Sequence, residues 1–336
     1  MWIRKRPVRG KRWRPLMLAA ALGLMLAGAA GAATSSSDTP EEVASRIWLW
    51  PDTIAPGSER IAVRQAIVER SSDPAFPDRI ITGVTRPYLV VYRPKRPNGT
   101  ALLIVPGGSY RRVVLDKEGS ALVPAFVEAG GMTLFVLRYR LPGDGHADAR
   151  RAPLADAQRA LRLIRRRARE WNVDQRRVGV IGFSAGGHVA ASLGTRFAEA
   201  IYAPVDAIDR ESARPDFMML VYPVIDMGER AHAESRRQLL GTTATATESA
   251  AYSPQRRAGA DTPPTFLLHA TDDESVPVEN SLLFFEALRR AGVPAELHVY
   301  PHGGHGFGVR GIAGTPLAAW PQLALDWIRA QTKETP

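Results

Sequence analysis

Gly182-Phe183-Ser184-Ala185-Gly186 follows the short apolar run Arg177-Val178-Gly179-Val180-Ile181 and precedes Gly187-His188-Val189-Ala190-Ala191-Ser192-Leu193, which has helical character. Strand, G-x-S-x-G, helix is the setting in which a serine sits on a sharp, strained turn with its hydroxyl above the end of a sheet. The small residues Gly182, Ala185 and Gly186 let strand and helix come close. The pattern makes Ser184 a candidate nucleophile, with the next N–H, that of Ala185, facing the same point. A Gly/Ser-rich turn without chemistry is the competing reading, because a pentapeptide alone is a weak signal.

Outward from this turn, two kinds of segment alternate. Residues 101–105, 132–139, 178–181, 217–222, 265–269 and 296–300 are apolar, β-branched or aromatic runs. Residues 120–129, 152–171, 278–291 and 317–331 read as helices, the second with Leu154, Ala157, Leu161 and Ile164 on one face and arginines on the other. This alternation predicts an α/β fold with a mostly parallel sheet and helices on both faces. Residues 47–333 form one such domain. Before it, residues 34–46 are predicted as a linker, polar and mobile up to about Glu42. Trp48 to Gly57, with Trp50, Pro51 and Pro56, is predicted to lie over the domain as an extended arm. Residues 198–215 and 227–263 lack a strong period and are predicted insertions able to roof the site.

A serine nucleophile needs a base, and the base an orienting acid. On this topology they follow in the order Ser, Asp or Glu, His. After the 265–269 strand comes Asp272-Asp273-Glu274-Ser275-Val276-Pro277, and after the 296–300 strand comes His302-Gly303-Gly304-His305-Gly306-Phe307-Gly308. Both lie just past a strand's carboxyl end, where ligands bind in open α/β sheets. His305, flanked by four glycines, is the predicted base, and His302 is its rival. His188 is expected to hold a structural hydrogen bond, and His269 to be a buried strand residue. Asp273, which opens Asp-x-x-Val-Pro, is the predicted acid, with Asp272 as a turn or supporting carboxylate. Donors for a developing oxyanion are expected from the N–H groups of Ala185, Gly108 and Ser109, the latter two in Pro106-Gly107-Gly108-Ser109-Tyr110. Tyr110, Tyr222 and Phe307 are placed to line a substrate pocket, although aromatics after strands are as often core. The chemistry calls for no metal or organic cofactor, since the three side chains supply both nucleophile and base.

The chain has 336 residues, 45% hydrophobic and 23% charged, which suits one large domain. Its net charge of +10 is concentrated at the start, where Arg4, Lys5, Arg6, Arg9, Lys11, Arg12 and Arg14 face no acid within fifteen residues. Beyond them 37 Lys and Arg oppose 34 Asp and Glu. That balance is too even for a phosphate-binding surface, so nucleic acid is not an expected partner. An apolar stretch to about Ala30 and small residues over 28–33 complete the pattern of a secretory signal. Residues 1–33 are therefore predicted as a leader removed on export, with an N-terminal membrane anchor as the competing reading. The mature protein is expected in the periplasm or secreted, without a membrane anchor. The absence of cysteine excludes structural disulfides, cysteine zinc sites and thiol catalysis.

Together these residues resemble the α/β-hydrolase superfamily, and within it the bacterial acetyl-xylan esterase or "xylanase"-related esterase branch. The resemblance rests on residues 104–110 (IVPGGSY), 137–142 (LRYRLP), 182–191 (GFSAGGHVAA), 269–273 (HATDD) with Val276-Pro277, and 303–307 (GGHGF). The arm at Leu49-Trp50-Pro51 with Ala55-Pro56-Gly57 is also similar. Ser109 departs from the branch's usual third glycine, yet still supplies an N–H. The resemblance implies a serine ester hydrolase acting on a small acyl group, acetate first, carried by a plant-polysaccharide-derived sugar. A general short-chain carboxylesterase and a non-catalytic binding protein on the same fold are the alternatives. Glycoside hydrolysis, which usually needs two carboxylates flanking the bond, is not implied by these residues.

Overall fold

The structure is a computed structural model in which residues 34–332 are described; the leader predicted over 1–33 lies outside them. In chain order the N-terminal elements are β1 (Thr34–Ser36), α1 (Pro40–Ala44), β2 (Arg46–Trp48), β3 (Ala66–Glu69), β4 (Arg79–Thr82) and β5 (Tyr88–Tyr92). There follow β6 (Ala101–Val105), β7 (Val113–Val114), β8 (Thr133–Arg138), α2 (Ala152–Arg166), β9 (Val178–Phe183), α3 (Ser184–Arg196) and β10 (Met218–Val221). The chain continues through α4 (Ala233–Leu240), α5 (Ala246–Ala251), β11 (Thr265–Ala270), α6 (Glu279–Arg290), β12 (Ala295–Tyr300) and α7 (Trp320–Thr332).

Eight strands form the central sheet in the order β12-β11-β10-β9-β6-β8-β5-β2. From β12 to β8 all neighbours are parallel, and β5 and β2 close the edge in antiparallel pairs. Strand periodicity explains why the parallel part reads as continuous apolar runs: successive side chains point to opposite faces, and both faces are covered. Along β6, Ala101, Leu103 and Val105 join the layer containing Leu161 of α2, Val189 of α3 and Phe284 of α6. Leu102 and Ile104 join the opposite layer, with Phe126, Leu325 and Ile328. The predicted helix over 120–129 is a tighter turn followed by a wide π-helix, Val123–Ala129. A second, four-stranded antiparallel sheet, β1-β3-β4-β7, was not expected from the sequence.

The linker expected over 34–46 is instead folded onto the domain. Thr39 caps α1 in a capping box with Glu42, and Glu42 is 2% exposed. Its carboxylate accepts hydrogen bonds from both terminal nitrogens of Arg79, at 2.8 and 3.0 Å, and from the Tyr92 hydroxyl at 3.0 Å. Arg79 also bonds Asp116. Polar composition concealed this because the acidic residue that looks solvated is half of a buried ion pair. The arm beyond it lies over the domain as predicted. Trp50 donates its Nε1–H to Asp156 at 2.9 Å, and the Leu49 carbonyl accepts from Arg159 at 2.7 Å.

The two insertions differ. Residues 198–215 pack on α2, where Arg159 of that helix pairs with Asp206 and Asp209. They do not roof the site as expected. Residues 227–263 contain α4 and α5 and reach the active end of the sheet, where Glu234 lies 3.5 Å from Arg111.

Glu42→Ala should cost about 3–5 kcal/mol by leaving Arg79 short of a buried partner, read from the denaturant midpoint. Burial raises the Glu42 proton affinity, and Arg79 together with the Thr39 N–H overrides it, leaving the net shift downward. The stabilisation should therefore be complete at neutral pH and fade as pH falls below the ordinary carboxylate range.

Candidate active site

Ser184 begins α3 directly after β9 and adopts φ 52°, a left-handed conformation that a side chain other than glycine rarely takes. Close packing holds it there. A Cβ on Gly186 would fall 2.1 Å from the Val105 carbonyl oxygen, and one on Gly182 would fall 2.4 Å from the Gly186 carbonyl oxygen. Glycines at these two positions let the helix start press against the end of β6 and its loop.

The base and acid come from neighbouring strands. β11 stands two strands from β9 and β12 three, so the loops after them must fold back over β10. They do. His305 Nε2 lies 2.8 Å from Ser184 Oγ, and His305 Nδ1 lies 2.7 Å from Asp273 Oδ2. A carboxylate only accepts, so Nδ1 carries the proton and Nε2 accepts from the serine hydroxyl. The Asp273 side chain is fully buried. Burial alone would raise its proton affinity, but hydrogen bonds from His269 and His305 hold it well below the ordinary carboxylate range. Its Oδ1 accepts from the N–H groups of Ser275 and Val276 at 2.9 and 2.8 Å. Asp272 accepts from the N–H groups of Gly303 and Gly304, at 2.9 and 2.7 Å. It fixes the start of the histidine loop and does not touch His305. His302 is largely exposed and faces Asp272, which removes it as a base.

The oxyanion segment is strained in the same sense as the serine. Gly108, Ser109 and Tyr110 all have positive φ. The Gly107 N–H is taken by Glu118 Oε2 at 2.7 Å, whereas among the described residues the N–H groups of Gly108 and Ser109 have no protein acceptor. With Ala185 in the unpartnered first turn of α3, they remain available to a developing anion.

Tyr110 and Tyr222 are core residues: both are fully buried, and Tyr110 borders only a small cavity shared with His188 and Tyr252. The Tyr110 hydroxyl lies 2.7 Å from His188 Nδ1, and His188 Nε2 lies 2.7 Å from the Tyr252 carbonyl. Burial pushes the His188 imidazole down to about 4, so at neutral pH it is uncharged. It ties the oxyanion loop, α3 and the second insertion together. Tyr222, at φ 38° just past β10, presents its ring edge-on to His305 and Phe307, with centroids 4.9 and 4.7 Å away. Its hydroxyl donates to Glu118 Oε1 at 3.0 Å and accepts from the Gly308 N–H at 3.1 Å.

Glu118 is the residue that sequence reasoning missed. One oxygen holds the oxyanion loop and the other, through Tyr222, the histidine loop. Inside Leu115-Asp116-Lys117-Glu118-Gly119 it reads as part of a solvated charged turn. His232 was also missed. It caps α4 through Ser235, and its imidazole is lowered by burial and then by the nearby His305, which puts the second insertion beside the triad. Among the described residues no group of three or more metal-ligating side chains converges.

A parallel sheet with a nucleophile turn, an aspartate and a histidine past successive strands defines an α/β-hydrolase. Residues 89–288 match the family model described as BD-FAE, and the chain belongs to that family. It is 36% identical over 250 residues to an acetylxylan esterase of Xylanibacter ruminicola, covering 72% of this chain and 48% of that one. It is 38% identical over 208 residues to an endo-1,4-beta-xylanase B of Butyrivibrio fibrisolvens, covering 62% of this chain and 32% of that one. The chain thus spans about a third to a half of the length of these curated relatives. An acetyl ester-xyloside bifunctional hydrolase from Caldicellulosiruptor lactoaceticus is similar in structure. Its TM-score is 0.67 at 35% identity, over 85% of this chain and 96% of that one.

With p-nitrophenyl acetate, Asp273→Asn should lower kcat by about 10⁴-fold by forcing the wrong tautomer on His305, while Asp272→Asn keeps most of the activity. Glu118→Gln retains one acceptor and loses the other. It should lower kcat about tenfold or more with KM little changed, since the donors it aligns act on the transition state.

Proposed function

We propose that the protein is a serine carboxylic-ester hydrolase that removes acetyl groups from plant-polysaccharide-derived sugars such as xylo-oligosaccharides. The observation that carries the chemistry is the continuous chain from Ser184 Oγ through His305 to the buried Asp273 carboxylate. Ser184 attacks the ester carbonyl as His305 Nε2 takes its proton. The carbonyl oxygen gains charge and is met by the N–H groups of Ala185, Gly108 and Ser109. His305 returns the proton to the departing sugar hydroxyl, leaving an acetyl group on Ser184. Water, deprotonated by the same nitrogen, then releases acetate.

The names of the relatives support an acetylated sugar as the substrate. The site itself speaks for ester rather than glycoside cleavage. A glycosidase needs two carboxyl groups free to act on either side of the sugar bond. Here Asp273 is engaged by two imidazoles and two backbone N–H groups, and Glu118 by Gly107 and Tyr222. The leader pattern in residues 1–33 supports action outside the cytoplasm, in the periplasm or beyond. Among the described residues, no helix is long and apolar enough to cross a membrane.

Acetylated xylo-oligosaccharides treated with the protein should lose about 42 Da per turnover, one acetyl group, by mass spectrometry, and Ser184→Ala should abolish that loss. Turnover of p-nitrophenyl acetate with no action on the sugars would support the general short-chain esterase instead. A Ser184→Ala variant as active as the parent would remove the mechanism.

A further inference from the structure

Asp273 is held by two imidazoles, and only one of them belongs to the triad. His269, on β11, has a fully buried side chain whose Nε2 lies 3.2 Å from Asp273 Oδ2, the oxygen that also receives His305. The same Nε2 lies 3.0 Å from the Val276 carbonyl, and Nδ1 lies 2.8 Å from the Ser281 hydroxyl of α6.

We infer that His269 is a positioning residue of the triad: its Nε2–H, fixed in place by Ser281, holds Asp273 Oδ2 against His305 and shares the carboxylate's charge.

Proton bookkeeping leads to this. Nε2 of His269 faces only acceptors, a carbonyl and a carboxylate, so that nitrogen carries the hydrogen. Nδ1 faces a hydroxyl, which is free to rotate and donate. The neutral tautomer uses every contact: Ser281 O–H to Nδ1, and Nε2–H divided between Val276 and Asp273. The charge that develops during turnover, an imidazolium on His305 beside the Asp273 carboxylate, then has no second charged imidazole on the same carboxylate.

Two donors on one carboxylate oxygen also set its basicity. With His269 in place, part of the Oδ2 charge is already engaged; removing that donor by substitution leaves the whole of it facing His305, which stabilises the imidazolium of the variant relative to the parent. The other ionisable groups around the pair are Glu118, acting through Tyr222, His232 at the cap of α4, and Asp272 with His302 on the loop. Lys117, whose Nζ would lie 3.2 Å from a Cβ on Gly306, stands beside the histidine loop, and the Tyr222 phenol faces Asp273. From α6, the group that reaches His269 is the uncharged Ser281 hydroxyl.

The test is the pH dependence of kcat/KM for p-nitrophenyl acetate in the parent, His269→Leu, His269→Gln and Ser281→Ala, each normalised by active-site titration. This substrate carries no sugar, so the outcome is independent of the proposed carbohydrate substrate. Should the parent fail to hydrolyse it, the esterase reading itself fails. His269→Leu should move the acid limb upward by about half a pH unit or more and lower kcat about tenfold, with KM within about threefold. His269→Gln, whose amide N–H replaces Nε2–H, should keep the limb within about 0.2 unit of the parent. Ser281→Ala should move it in the same direction as His269→Leu, by less. A purely structural histidine would reduce the number of titratable sites and leave the limb where it was. The inference is overturned if normalised His269→Leu keeps the parental limb, or if the glutamine variant shifts as far as the leucine one. If His269→Leu does not fold, an unshifted limb in Ser281→Ala overturns it.

Discussion

Everything at the active end of the sheet depends on one unfavourable backbone conformation. Holding a serine at φ 52° costs about 1–3 kcal/mol, and only surrounding contacts make it persist. β9 lies between β6 and β10, the first turn of α3 is wedged against the Val105 and Pro106 carbonyls, and two glycines make that wedge sterically possible. The same approach that strains Ser184 brings the Ala185 N–H beside the loop carrying Gly108 and Ser109. Nucleophile and anion donors are thus parts of a single packing arrangement.

The two buried carboxylates beside this turn divide the remaining work. Asp273 is wrapped in donors and stays ionised, facing the base. Glu118 uses its two oxygens to tie together loops that β6 and β12 deliver from opposite sides of β9. Tyr222 is the spacer that makes this reach possible. It sits just past the intervening strand, and its ring forms the surface on which His305 rests. Similar side chains have taken different roles because their donors differ, as environment sets the role of a carboxylate elsewhere.

What could be read from the sequence follows from which forces act locally. The strand–turn–helix around Ser184, the alternation of segments and the order Ser, Asp, His are local patterns, and the structure assembles them as expected. Asp273 was separable from Asp272 because Asp-x-x-Val-Pro turns the chain so that one side chain points inward. The misreadings that touch the linker and the site involve partners farther along the chain. Glu42 looks solvated until Arg79 is placed beside it. Glu118 looks like a surface charge until Gly107 and Tyr222 close on it. Tyr110 looks like a pocket residue because it follows the oxyanion glycines, yet its hydroxyl is claimed by His188 on another element. Residues 198–215 and 227–263 are alike in composition, and only the arginines and acids they meet decide which one approaches the triad.

The N-terminal arm carries a consequence for the order of assembly. Its anchors are all far downstream: Glu42 waits for Arg79, Trp50 for Asp156, and the Leu49 carbonyl for Arg159. During synthesis from the N-terminus, about a hundred further residues must emerge, and α2 must settle on the sheet, before Trp50 has anywhere to dock. Closing so long a loop is entropically costly and rewarded only at the end. The first described segment to be made is thus among the last to find its place, and until it does the antiparallel edge at β5 stays open to other strands.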